Sequence, residues 1–353
     1  MKFVFSVVLV LISAATTAAD SDGRNNLRGQ IRDKKVENGA ASNIPRSLRQ
    51  NNGDHSLKDI KEIVLPPVNI DALEAEDAQI KAANPNGGVP RRVAKQMNEN
   101  IKPSTTGTNE TLTDREMWRV KLTSPDAKFM SVQLAMARLG PGEEIYVYSA
   151  TTPSDSAGPY TEEHNNELKI LGLPAIMGDS IVVEYTHLSG SPGQPFVINK
   201  VSHGYKNFFG EDDQDEDLLF GRRKLASCLV DVKCPIGVGW EDQARSVAKT
   251  YDGQYVCTGQ LIGNTAHTDT PYFLTAYHCV SKENKAAGMV FYWFYECSSC
   301  GGSSCTGTQV STSGSSIATT NQGSDMTLLQ QVNPPPSDVY YSGWYRGTDP
   351  ASA

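Results

Sequence analysis

The sequence predicts an all-β protein of two units, and three observations carry that reading. Short runs that alternate apolar with polar residues follow one another from Thr113 onward, as half-buried strands do. Gly and Pro punctuate the gaps, at Gly140-Pro141-Gly142 and from Ser189 to Pro195, and the stretch carries no helical period. All seven cysteines lie after Lys224, so one part of the chain is cross-linked and the other is not. The 353 residues are enough for two folded units plus tails, and a hydrophobic share of 39% permits a core in each.

In chain order, residues 1–19 read as a secretory signal peptide. Lys2 gives a positive start, Phe3 to Leu11 an apolar run, and Thr17-Ala18-Ala19 a small-residue cleavage site. No later stretch is long and apolar enough to span a bilayer, so a secreted, extracellular, oxidised protein is expected. Residues 20–105 are expected to be a mostly disordered leader. Rich in Asn, Asp, Lys and Arg up to about Gly88, that segment buries too little apolar surface to offset the entropy of ordering. It contains Arg46-Ser47-Leu48-Arg49, which matches the short RxLR pattern of some secreted pathogen effectors but lacks their acidic-acidic-arginine follow-up.

Residues 106–207 are expected to form a small antiparallel sandwich, with strands at Met117 to Leu122, Phe129 to Leu139, Glu144 to Ser149, Ser180 to Thr186 and Pro195 to Val201. Asn109-Glu110-Thr111 is a glycosylation sequon with Asn109 as acceptor. Residues 208–224 read as an exposed linker: an acidic run from Glu211 to Asp217, then Arg222-Arg223-Lys224, a candidate processing site. The net charge of -8 argues against nucleic acid as a partner, because phosphate binding needs a basic surface.

The chemistry lies after Lys224. In Phe273-Leu274-Thr275-Ala276-Tyr277-His278-Cys279 an apolar strand runs into a histidine that a cysteine follows at once. Upstream, Cys257-Thr258-Gly259-Gln260-Leu261-Ile262 opens another strand with a matching cysteine, and a Cys257–Cys279 disulfide would hold the histidine's backbone in place. His267, in Asn264-Thr265-Ala266-His267-Thr268, lacks both strand and cysteine and reads as a loop residue.

The pattern "CTGQLI … FLTAYHC" resembles the histidine region of chymotrypsin-like (trypsin-fold) serine proteases, and more narrowly the secreted bacterial lysyl endopeptidases. "CLVDVKCP", "VFYWFY", "SDMTLL" and "GWYRG" fit that group in the same order. Ahead of them, "MWRVKLTSPDAKFMSVQLAMARLGPGEEIYVY", "GPYT", "GDSIVVEY" and "HGYKNF" resemble the pro-region sheet domain of such precursors. The resemblance implies that residues 225–353 form the N-terminal, six-stranded Greek-key barrel of a two-barrel protease. It implies His278 as general base and Asp325, in Ser324-Asp325-Met326-Thr327-Leu328-Leu329, as the carboxylate that fixes the imidazole tautomer.

The nucleophile is not in view. No Gly-x-Ser-Gly occurs in the sequence; Gly178-Asp179-Ser180 precedes the histidine and continues into the sandwich strand, and only Ser337, Ser342 and Ser352 follow Asp325. The chain is therefore expected to be a fragment without activity of its own, its specificity pocket lying in the absent half. The resemblance pairs Cys228 with a second-barrel cysteine, leaving it unpaired here. It pairs Cys234 with Cys300 and leaves Cys297 and Cys305 as an extra local pair. Cys297-x-x-Cys300 also has the spacing of half a zinc site, but an oxidising compartment with three local cysteines disfavours one, so neither metal nor cofactor is expected. Expected partners are protein or peptide substrates, and the protein is expected to be monomeric. Two other readings are a catalytically inactive protease homologue acting as a binding module, and an effector delivered by its leader.

Overall fold

The computed structural model describes residues 30–31, 44–49, 59–85, 88–193, 196–208, 232–300 and 310–344. The signal segment, Arg222, Arg223, Lys224, Cys228, Cys305 and Ser352 lie outside them.

The first part runs through β1 (Gln30–Ile31), α1 (Arg46–Arg49), β2 (Glu62–Val64), α2 (Ile70–Ala83), β3 (Arg91–Arg92), β4 (Ala94–Ile101), β5 (Thr108–Thr111), β6 (Arg115–Thr123) and β7 (Phe129–Ala135). Then follow β8 (Glu144–Ser149), β9 (Ser156–Tyr160), β10 (Ile170–Gly172), β11 (Ile176–Met177), β12 (Ser180–Leu188) and β13 (Val197–Gly204). Alternation sorts these strands into two sheets, except β1 and β3, which pair with strands of the second part. In β6, Trp118, Val120 and Leu122 face one way, and in β12 Ile181, Val183 and Tyr185 do the same. They pack against Met130, Val132 and Leu134 of β7 and against Ile198 and Val201 of β13. One sheet has the order β2-β6-β12-β8-β9, with β5 also on β6; the other is β10-β7-β13-β4, with β11 also on β7. Its pairs are antiparallel except that β2 runs parallel to β6.

Ordered structure starts earlier than residue 106. β2, α2, β3 and β4 all fall in the stretch expected to be mostly disordered leader. Its composition hides this because few residues there are apolar, and those few are placed where they count: Leu65, Leu73, Val93, Ala94 and Ile101 are buried. Polar groups do the rest. Asn69 caps α2 by accepting from the Ala72 N–H at 3.0 Å. The buried Arg92 donates to Asp77 at 2.8 Å, Glu76 at 3.0 Å and the Leu73 carbonyl at 2.9 Å, pinning α2 to β3.

The second part contains α3 (Glu241–Ala244), β14 (Val247–Tyr251), β15 (Tyr255–Ile262), β16 (Tyr272–Thr275), α4 (Glu283–Ala287), β17 (Val290–Trp293), β18 (Val310–Ser313), β19 (Ser315–Asn321), β20 (Met326–Gln331) and β21 (Tyr340–Tyr341). Its sheet runs β18-β17-β14-β15-β16-β20-β19. β17 returns beside β14 after the β14-β15-β16 meander, which is a Greek key. The two ends of the path, β18 and β19, are consecutive in the chain and separated only by Gly314, whose φ of +87° provides the bend. They act as one bent strand, so the sheet curls back on itself as a six-stranded barrel. Phe273 sits in its core at 5.0 Å from Phe291 and 5.9 Å from Trp293, both edge-to-face. The fold is thus all-β, with the barrel following the sandwich.

Sandwich and barrel meet face to face. β3 extends the barrel sheet, pairing Arg91 with Val256 and Arg92 with Tyr255. Phe129, Ala175 and Phe208 from one side share a core cluster with Tyr251, Val256, Val290 and Tyr292 from the other. The hydroxyl of Tyr292 accepts from the Ala175 N–H at 2.7 Å, and that of Tyr251 lies 3.0 Å from Ser131 Oγ. At Gly172 the backbones come so close that a Cβ would lie 2.1 Å from the Gly288 carbonyl oxygen.

Candidate active site

β16 and β20 are antiparallel neighbours, with Thr275 opposite Thr327 at the last pair. His278 lies three residues beyond Thr275, and Asp325 two residues before Thr327, so both fall at the same end of the same strand pair. A tight turn at Cys279 and Val280, whose N–H groups donate to the Ala276 carbonyl, swings the histidine back over that end. Asp325 sits in a turn closed by its own N–H to the Gln322 carbonyl at 3.2 Å and takes a left-handed φ of +49°. A side chain with Cβ visits that region rarely, Asp and Asn more readily than most, and such residues concentrate at functional positions.

The resulting contact is two-pronged. Asp325 Oδ2 lies 2.7 Å from His278 Nδ1, and Asp325 Oδ1 accepts the His278 backbone N–H at 2.9 Å. One carboxylate therefore fixes both the ring and the main chain of the same residue. Both side chains are half-buried, 28% and 36% exposed. Two threonines to which the sequence assigned no role brace the site from behind. Buried Thr327 donates to the Val280 carbonyl at 2.8 Å, and Thr275 donates to the Thr258 carbonyl at 2.9 Å. Alternation could have placed them on the inward face, but their acceptors are non-local.

Cys257 and Cys279 are bonded, with Cα atoms 6.0 Å apart, which ties the histidine's turn to β15. Cys257, Cys279 and His278 bring two sulfurs and a ring nitrogen within 4.8 Å of one another, a spacing that could hold a metal ion. The disulfide occupies both sulfurs, so the donor set does not fit a metal. Cys234 is bonded to Cys300, with Cα atoms 4.4 Å apart, which removes Cys300 from any thiolate site. Cys297 is disulfide-bonded as well.

The remaining candidates lie elsewhere. His267 is exposed on a turn that its N–H closes to the Asn264 carbonyl. Ser180 is buried at the start of β12 against Thr123, 2.9 Å away. Ser342 is buried between Gln260 and Ser246. Asn109 is exposed on β5. Among the described residues no helix is long and apolar enough to cross a membrane.

Comparison with known proteins points the same way as the geometry. Residues 224–353 match the family model described as lysyl endopeptidase, C-terminal domain. A lysyl endopeptidase of Pseudomonas aeruginosa is 28% identical over 193 residues, covering 48% of this chain. The chain spans 39% of that relative's length. By both comparisons, this chain is related to the lysyl endopeptidase-like serine proteases.

Proposed function

We propose that the chain is the precursor portion of a secreted serine endopeptidase that hydrolyses peptide bonds through an acyl-enzyme. In this reading residues 225–353 supply the general base, His278, and its orienting carboxylate, Asp325. The sandwich ahead of them is the pro-region, and processing falls at Arg222, Arg223 and Lys224. The nucleophilic serine is not among the 353 residues. The observation that carries the reading is the double contact of Asp325 with His278, at 2.7 Å to Nδ1 and 2.9 Å from the backbone N–H. With Nδ1–H donating to the carboxylate, the other ring nitrogen is left as the acceptor that a serine hydroxyl requires. The imidazole then takes the serine proton during attack and returns it to the leaving amine, while Asp325 stabilises the imidazolium between the two steps.

The test is kinetic. In a form extended through the nucleophile, His278→Ala is expected to lower turnover of a peptide ester by about 10⁴ to 10⁶, with substrate affinity nearly unchanged. Normal turnover in that variant would remove His278 from the mechanism. Residues 1–353 alone are expected to show no hydrolysis, and phosphonate-sensitive activity from them would reveal a nucleophile within this sequence.

A further inference from the structure

Part of the outer face of the six-stranded sandwich sheet is buried, although among the described residues no second sheet covers it. On β8, Ile145 and Val147 face the core, which turns Glu144, Tyr146 and Tyr148 outward; on β12 the same alternation turns out Val182 and Glu184. Tyr146, Tyr148, Val182 and Glu184 are nevertheless at 0% exposure. Residues 44–49, which end in α1, lie over them.

Each side chain of Arg46-Ser47-Leu48-Arg49 meets residues of this face. Arg46 forks onto the Glu144 carboxylate, Nε to Oε2 at 2.7 Å and Nη2 to Oε1 at 2.5 Å. Ser47 gives Glu184 both its hydroxyl, at 2.5 Å, and its backbone N–H, at 3.3 Å. Leu48 packs on the cluster of Ile60, Tyr146, Tyr148 and Val182. Arg49 donates to the Tyr146 hydroxyl at 2.5 Å with its guanidinium 5.6 Å from that ring's centre. Glu184 explains why the cover is selective. A carboxylate removed from water needs donors, and Ser47 brings two beside the 3.3 Å contact from the Tyr148 hydroxyl. Lysine at 46 would lose the fork, and alanine at 47 would leave Glu184 short of a donor.

We propose that this face is a peptide-binding site that selects an Arg-Ser-Leu-Arg segment and is filled in cis by residues 46–49. The tetrapeptide is a strap, and while it is docked its side chains are engaged on this face. A free peptide of the same sequence occupies the face once the strap is displaced.

Two measurements on the full chain test this. The first is the rate at which trypsin cuts the Arg49–Gln50 bond, read by mass spectrometry. Wild type is expected to be protected; Arg46→Glu and Glu144→Arg should each be cut about 10- to 100-fold faster, and the double charge swap should regain protection. The second is fluorescence anisotropy with a labelled peptide of residues 43–50. The Arg46→Glu chain should bind it and reject a scrambled peptide, whereas wild type should bind neither. Thermal unfolding checks that each variant is folded, with Glu144→Gln replacing any that is not. Wild-type cleavage as fast as in the free peptide, a charge swap that stays labile, or equal binding of the scrambled peptide would overturn the proposal.

Discussion

Asp325 reaches His278 twice because its main chain leaves the turn in the left-handed region and so presents both carboxylate oxygens to one residue. The consequence is testable with an isosteric change. Asp325→Asn keeps an acceptor for one donor but presents an amide to the other, so an extended enzyme should lose about 10⁴ in turnover while its substrate affinity holds. Thr327 acts through the backbone instead. Thr327→Val removes the donor to the Val280 carbonyl and should cost about 1 to 2 kcal/mol in denaturant unfolding. Thr327→Ser should recover most of it, since the hydroxyl and not the methyl makes the bond. His278 and Asp325 were expected from the resemblance that their motifs carry, and the structure brings the two together. The threonines were not, since nothing local names a carbonyl across the barrel as their partner.

At the scale of elements, α2 and β3 show what composition cannot reveal. α2 buries only Leu73 and draws its anchorage from charge: Asp77 accepts from Arg92 at 2.8 Å, from Lys206 at 2.7 Å and from the Tyr205 hydroxyl at 2.5 Å. Burial would raise the Asp77 carboxyl, but these hydrogen bonds and charges outweigh it and hold the group below its ordinary 3.8. Its stabilisation is therefore present above the unfolded value and is lost as pH falls through the folded one. Asp77→Ala leaves two cations without their shared partner and should destabilise the protein by about 3 kcal/mol, measured by urea unfolding. A polar segment held by distant charged groups looks like a disordered leader in composition, which is why the sandwich starts earlier than its pattern suggested. The strands from β6 to β13 were readable by contrast, because each carries its own alternation.

For the whole molecule, the junction of sandwich and barrel sets a pH profile. Lys249 lies between the rings of Phe208 and Tyr295, 4.2 Å and 4.8 Å from their centres, and donates to the Phe208 carbonyl. Burial, with Arg91 adding repulsion, pushes its ammonium from 10.5 down to about 7. Between those values the folded protein holds fewer protons than the unfolded one, so stability should rise with pH across that window. The tyrosines act in the opposite sense. Burial pushes Tyr146 up to about 12 and raises Tyr148, Tyr160, Tyr205, Tyr251 and Tyr292 well above 10.0. Their contribution is complete below 10 and is lost above it. The thermal midpoint should therefore peak at about pH 9 to 10. Lys249→Met should flatten the rising limb and leave the falling limb in place.

The strand that β3 lends to β15, with the cluster behind it, makes the sandwich a ligand of the barrel as well as its neighbour. While the chain is continuous between Phe208 and Val232, that ligand is present at an effective concentration on the order of millimolar. A cut between Phe208 and Val232 would change the quantity that governs occupancy, which becomes the concentration of the cleaved protein itself. At high concentration the cleaved pair would stay together, and on dilution it would part. Cleaved material should then run as one species on size exclusion when loaded concentrated and as two when loaded dilute. On this view dilution separates sandwich from barrel, and a cut alone does not.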